Sequence, residues 1–135
     1  MKKLSSILLV DDDETSCFLT RYIIEGMHIA ERIYTVRDGR EALDLIREDG
    51  IGDVPEIELI LLDINMPDMD GFEFLEVLES LPQPRTRSIV MLTTSSNHRD
   101  LDKAKLYRVT DYLNKPITEE KLSDILSKHF TIFGE

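Results

Sequence analysis

The chain has 135 residues, which suits one domain built around one core. With 41% hydrophobic and 32% charged residues it is not a disordered chain, and no apolar run approaches the ~18 residues that a membrane span needs. A formal net charge of -11, with 7% aromatic residues and no Trp, argues against nucleic-acid and anionic-membrane partners, while a single cysteine, Cys17, excludes an internal disulfide and fits a reducing, cytoplasmic setting.

In chain order, apolar runs alternate with stretches of helical period. Residues 6–10 read as a first strand that runs into Asp11-Asp12-Asp13-Glu14. Lys2-Lys3 hints at a secretory signal, but the apolar run meets four acids and no small-residue cleavage site, so none is expected. A helix follows, with Phe18, Leu19, Tyr22 and Ile23 expected on its inward face and Gly26 as its end signal. Residues 32–36 read as a second, shorter strand. The next helix starts at Asp38-Gly39-Arg40-Glu41, turns Ala42, Leu43 and Ile46 inward and ends near Gly50.

Strand three is expected at 59–63 and ends in Asp63. A turn on Pro67 and Gly71 leads to a helix carrying Phe72, Leu75 and Leu78, closed by Pro82 and Pro84. Strand four is expected at 88–92, ending at Thr93. Segment 97–107 reads as a helix with a thin apolar face, mainly Leu101, Ala104 and Leu106. A short strand, 111–113, precedes Lys115-Pro116. The last helix has Leu122, Ile125, Leu126, His129 and Phe130 on one face and Thr118 as its N-cap.

Five β-then-α units predict an α/β fold: a doubly wound parallel sheet with helices on both faces. In such sheets ligands bind beyond the carboxyl ends of the strands. Asp11, Asp12, Asp63, Thr93 and Lys115 would all crowd that rim. Each alone has an ordinary reading: an acid pair caps a helix, a Thr ends a strand, a Lys precedes a Pro. Together they are a set of hard oxygen ligands without His or Cys, which points to Mg²⁺ (or Mn²⁺), beside an ammonium and a hydroxyl suited to phosphoryl oxygens. Asp63 would then be the nucleophile.

Four fragments in order carry a resemblance: Leu8-Leu9-Val10-Asp11-Asp12, Leu61-Leu62-Asp63-Ile64-Asn65-Met66-Pro67 with Asp70-Gly71, Met91-Leu92-Thr93, and Asp111-Tyr112-Leu113-Asn114-Lys115-Pro116. The chain resembles the receiver domain of two-component response regulators over essentially its full length. The resemblance implies a flavodoxin-like (βα)5 fold with strand order 2-1-3-4-5, and a single receiver domain over residues 1–135 with no output domain. It implies that Asp63 accepts a phosphoryl group from a sensor histidine kinase or a histidine phosphotransfer protein. Asp12 would bind Mg²⁺ directly, Asp11 largely through water, and the Asn65 backbone carbonyl would complete the set with Asp63. Thr93 and Lys115 would hold phosphoryl oxygens. Tyr112 would swing inward as Thr93 moves, and the Lys115–Pro116 bond would be cis. The signal would pass to a downstream protein through the surface of the 97–107 helix, the fifth strand and the last helix. The chain would be no enzyme beyond its own phosphorylation and dephosphorylation, a cytoplasmic protein that neither enters a membrane nor binds nucleic acid directly.

Other readings compete. A haloacid-dehalogenase-type phosphohydrolase needs a second acid two residues after the nucleophile, where this chain has Asn65. A calcium loop over 63–71 needs Gly where Asp68 stands. A pseudo-receiver, a binding module without phosphorylation, typically loses the site residues retained here. Two positions depart from the family's usual pattern: Arg108 lies where Gly is common, and Thr94 where Ala, Ser or Gly is. A larger side chain at 94 should obstruct attacking water. The phosphorylated protein is therefore expected to lose its phosphate more slowly than a Thr94→Ala variant, and equal decay rates would refute this.

Overall fold

A computed structural model describes residues 3–48, 56–64, 66, 70–80, 88–93, 102–103, 105–107 and 109–130. Asn65, Pro67, Thr94, Arg108, Gly50, Pro82, Pro84 and His98 fall outside the described residues, as does most of segment 97–107. The strands are β1 (Leu4–Val10), β2 (Ala30–Val36), β3 (Leu59–Asp63), β4 (Ser88–Thr93) and β5 (Asp111–Asn114). The helices are α1 (Glu14–Met27), α2 (Gly39–Glu48), α3 (Gly71–Ser80) and α4 (Glu119–His129). All strand pairs are parallel, and the order is β2-β1-β3-β4-β5. The two outer pairings run longer than expected: β2 has seven residues, as many as β1, and is not the shorter strand its sequence promised.

Alternation within the strands feeds two cores. Leu8, Val10, Ile60, Leu62 and Met91 pack with Ala42, Leu43 and Ile46 of α2 and with Phe72, Phe74, Leu75 and Leu78 of α3. Ile7, Leu9, Leu59, Leu61, Val90 and Leu92 pack with Ile24 of α1 and with Leu122, Ile125 and Leu126 of α4. Central strands covered on both sides must be apolar on both sides, and every residue of β3 is buried. The polar ends that follow these runs have nowhere to go but the common carboxyl edge.

Helix α1 departs from expectation. Its buried residues are Thr20 and Ile24, with Cys17 and Met27 packed beside them. Phe18, Leu19 and Tyr22 are exposed at 68%, 53% and 70%, and the two aromatic rings stack with centroids 6.5 Å apart. The sequence offers two apolar stripes, and the cap selects between them. Asp13 accepts hydrogen bonds from the amides of Thr15 and Ser16, fixing where the helix starts and hence which stripe meets the sheet. Gly26 lies inside the helix; His28, in the left-handed region at φ 54°, ends it.

Segment 97–107 also differs where it is described. Leu106 is 80% exposed, and Tyr107 makes the contact instead. Its ring lies 5.9 Å from that of Phe72, and its hydroxyl donates to Glu76 at 2.9 Å. Lys103 stands 4.6 Å over the Phe72 ring.

Two glycines on these helices should respond with opposite sign. A Cβ on Gly26 would meet nothing within 4 Å, so Gly26→Ala should stabilise the fold by about 0.5–1 kcal/mol. A Cβ on Gly71 would lie 3.0 Å from the Asp63 carbonyl oxygen and 3.1 Å from the Ile64 Cα, so Gly71→Ala should destabilise by about 1–3 kcal/mol. Urea unfolding of both variants checks the pair; the same sign for both would contradict these packing assignments.

Candidate functional site

The carboxyl edge of the sheet brings together Asp11 after β1, Asp63 at the end of β3, Thr93 at the end of β4 and Lys115 after β5. Asp11, Asp63 and Thr93 are buried, at 1%, 4% and 2% exposure, whereas Asp12 is exposed. Register explains the convergence. Val10 pairs with Leu62, Asp63 with Leu92, and Thr93 with Asn114, so neighbouring strands end nearly level.

Lys115 is the centre of the arrangement. Its ammonium donates to Asp11 Oδ2 at 2.9 Å and to Asp63 Oδ2 at 3.2 Å, with its side chain 12% exposed. Burial works against the charged ammonium, but the hydrogen bond to Asp11 and the charge of Asp63 outweigh it and raise the lysine pKa above its ordinary value. The backbone is held too: the Lys115 amide donates to the Thr93 carbonyl at 2.8 Å, and the Lys115–Pro116 bond is cis.

Asp11 is held by three hydrogen bonds. Oδ1 accepts from the Asp13 amide at 3.0 Å, and Oδ2 accepts from Ser16 Oγ at 2.8 Å as well as from Lys115. Ser16 escaped the sequence reading. It lies one helical turn into α1 beyond a cap whose geometry only the structure defines.

Asp63 owes its place to the close approach of α3. The Gly71 amide donates to the Ile64 carbonyl at 3.0 Å, and Ile64 in turn donates to the Leu92 carbonyl at 3.1 Å. At the start of α3, Asp70 Oδ1 accepts from the Glu73 amide at 2.9 Å. Asp70 and Gly71 thus fix the chain that follows Asp63.

Carboxylate oxygens of Asp11, Asp12 and Asp63 all lie within 4.8 Å of one another. Ligands opposed across an octahedral Mg²⁺ stand about 4.2 Å apart, so the cluster fits a divalent ion after a small contraction, or with one acid acting through water. Hard oxygens without sulfur or imidazole suit that ion. Asn65, the expected carbonyl ligand, is outside the described residues.

Tyr112 is half-buried at the sheet edge, packed against the core on the α2/α3 side. Burial and then the charge of Asp111 raise its phenol pKa, keeping it a neutral hydroxyl near pH 7. Asp111 itself is a bridge from β5 to the end of α4: His129 Nε2 lies 2.8 Å from its Oδ2, and Oδ1 accepts from the Tyr112 amide at 2.8 Å. Burial pushes the Asp111 carboxyl up, but His129, the Tyr112 amide and Lys128 together hold it below its ordinary value. Cys17 is half-buried near the rim, and burial followed by the charge of Asp11 raises its thiol pKa, which leaves it a poor nucleophile.

Comparison with known proteins agrees with this fold. The family model described as response regulator receiver domain matches residues 7–127. A probable methanogenesis regulatory protein, FilR2 of Methanothrix harundinacea, is 36% identical over 118 residues, 86% of this chain and 75% of that protein. Response regulator Rcp1 of Synechocystis is 33% identical over 110 residues, 81% of this chain and 75% of its own length. Among solved structures, a two-component response regulator from Cytophaga hutchinsonii superposes with a TM-score of 0.83 at 32% identity, covering 94% of this chain and 97% of that one. Other relatives are much larger: the chain spans 18% of the response regulator ARR12 of Arabidopsis thaliana and 13% of the histidine kinase BarA of Shigella flexneri.

The acid cluster makes a prediction about charge. One ammonium faces three carboxylates, and among the described residues Asp12 makes no ion pair. In metal-free buffer Asp12→Asn should relieve repulsion and stabilise the protein, by up to about 1 kcal/mol because the group is exposed. The same change should weaken the gain in melting temperature produced by added Mg²⁺. A variant that melts lower than the parent without metal, or gains as much from Mg²⁺, would contradict this.

Proposed function

Because the chain belongs to the response regulator receiver domain family, the phosphorylation-activated switches of two-component signalling, we propose that Asp63 is the phosphoacceptor and that Lys115 and Thr93 hold the incoming phosphoryl oxygens. The observation that carries the reading is the shared ammonium, 3.2 Å from Asp63 and 2.9 Å from Asp11. An Asp63 oxygen forms the new P–O bond. The P–N bond of a phosphohistidine donor breaks, and its electron pair leaves with the imidazole. Charge spreads over the three equatorial oxygens in the transition state, and a fixed cation beside them is the largest help a protein can offer.

Asp12, Asp63 and the Asn65 carbonyl would hold Mg²⁺, with Asp11 acting through water; Mn²⁺ suits the same donors. When bound, the ion offsets charge on the phosphoryl oxygens. Once Asp63 carries the phosphoryl group as an acyl phosphate, Lys115 exchanges a carboxylate partner for phosphoryl oxygens, and the Thr93 hydroxyl is drawn to another. Tyr112 follows toward the space Thr93 leaves. The surface of segment 97–107, β5 and α4 then changes its affinity for a downstream protein. We read residues 1–135 as one receiver domain, acting in the cytoplasm, whose only chemistry is its own phosphorylation and dephosphorylation.

The donor would be a sensor histidine kinase or a histidine phosphotransfer protein. Its docking face would be α1, which starts at the rim and presents the stacked Phe18 and Tyr22 with Leu19 to solvent. Three large apolar side chains exposed on one helix mark an interaction surface. A partner seated there would bring its phosphohistidine over Asp63.

Incubation with acetyl phosphate and Mg²⁺, followed by intact mass, tests the chemistry. One phosphoryl adduct should appear and be absent in Asp63→Asn; an unchanged parent mass would favour a pseudo-receiver. The same assay separates chemistry from docking, since Phe18→Ser should match the parent with acetyl phosphate but accept phosphate more slowly from a histidine phosphotransfer protein.

A further inference from the structure

The chain around Lys115 is pinned from two sides, and the second pin is a lysine. Thr118 caps α4 by accepting from the Lys121 amide at 3.1 Å, which makes Lys121 the third residue of the helix. Its ammonium turns back out of the helix and donates to the Asn114 carbonyl at 3.1 Å and to the Pro116 carbonyl at 3.0 Å. These two carbonyls bracket Lys115 in the chain. On the other side the Lys115 amide is held by the Thr93 carbonyl of β4.

A cation in the first turn of a helix opposes the helix dipole, and the neighbouring Glu119 and Glu120 are the charges that the turn favours. Helix stability therefore gives no reason for a lysine at this position, whereas the loop does. Three ammonium protons can serve two carbonyls at once, and a lysine on a rigid helix serves them without moving. Lys115 crosses from β5 to reach the acids on β1 and β3, so a small rotation of its backbone would swing its ammonium away from the oxygens it must meet.

We propose that Lys121 is a positioning residue for phosphoryl transfer: it fixes the backbone on both sides of Lys115 and so aims that ammonium at the phosphoryl oxygens. The proposal rests on the reading that Asp63 is the acceptor and Lys115 its cation.

The test is the rate of adduct formation on the full chain, by intact mass, over a series of acetyl phosphate concentrations with Mg²⁺. Lys121→Met should lower the saturating rate by roughly three- to tenfold, the range one such hydrogen bond controls. Lys121→Arg, which also offers several donors, should recover most of it. In a Lys115→Ala background, Lys121→Met should cost nothing further, because its effect runs through Lys115. A Lys121→Met rate equal to that of the parent would overturn the proposal. So would the same fractional loss with and without Lys115, which would mark a merely structural effect. If Lys115→Ala alone phosphorylates like the parent, the reading of the site fails, and the role given to Lys121 fails with it.

Discussion

A single ammonium shared by two carboxylates, with a third carboxylate beside them, is the interaction on which the rest of this structure turns. Carboxylate oxygens within 4.8 Å of one another repel by about 3.5 kcal/mol per pair at an effective dielectric of ~20. Two attractions at 2.9 and 3.2 Å are worth about 5.7 and 5.2 kcal/mol on the same scale. Lys115 thus roughly matches the repulsion in energy, but one positive charge against three carboxylates leaves a surplus of negative charge. That surplus is what a divalent ion would answer, and it makes the rim responsive to charge. A site balanced this closely would change partners if a doubly negative group were added to Asp63.

The fold supplies that balance by making the strands end together. Parallel pairing places every strand's carboxyl end on one edge, and the level register of β1, β3, β4 and β5 brings the ends of four chain segments together there. Local devices do the rest. Gly71 lets α3 approach the chain after Asp63 more closely than a side chain there would comfortably allow. Ser16 and the Asp13 amide hold Asp11, and the Thr93 carbonyl and the Lys121 ammonium hold the backbone around Lys115.

The strands and their endings were legible because they obey one strong rule. A strand covered on both faces must be apolar throughout, so Leu59–Asp63 announces both its extent and the anomaly of its last residue. The Thr118 cap and the inward faces of α2 and α4 were legible from local pattern, whereas the strand order was implied only by the resemblance to receiver domains. Helix α1 was misread because it carries two apolar stripes, and periodicity cannot choose which of them meets the core. Segment 97–107 was misread at Leu106 because an aromatic contact, Tyr107 on Phe72, replaced the aliphatic one its spacing implied. Side-chain contacts that reach back across a turn, such as Ser16 to Asp11 or Lys121 to two carbonyls five and seven residues earlier, leave no periodic trace. The one signal for Lys121 was a basic residue in an otherwise acidic first turn.

The central claim is that the phosphate is carried by Asp63 and by no other member of the acid cluster. Borohydride reduces an aspartyl phosphate to homoserine, so reduction of the phosphorylated protein followed by peptide sequencing reads the acceptor directly. The account predicts homoserine at position 63 alone. Homoserine at 11 or 12, or none in a protein that has gained a phosphoryl mass, would contradict it.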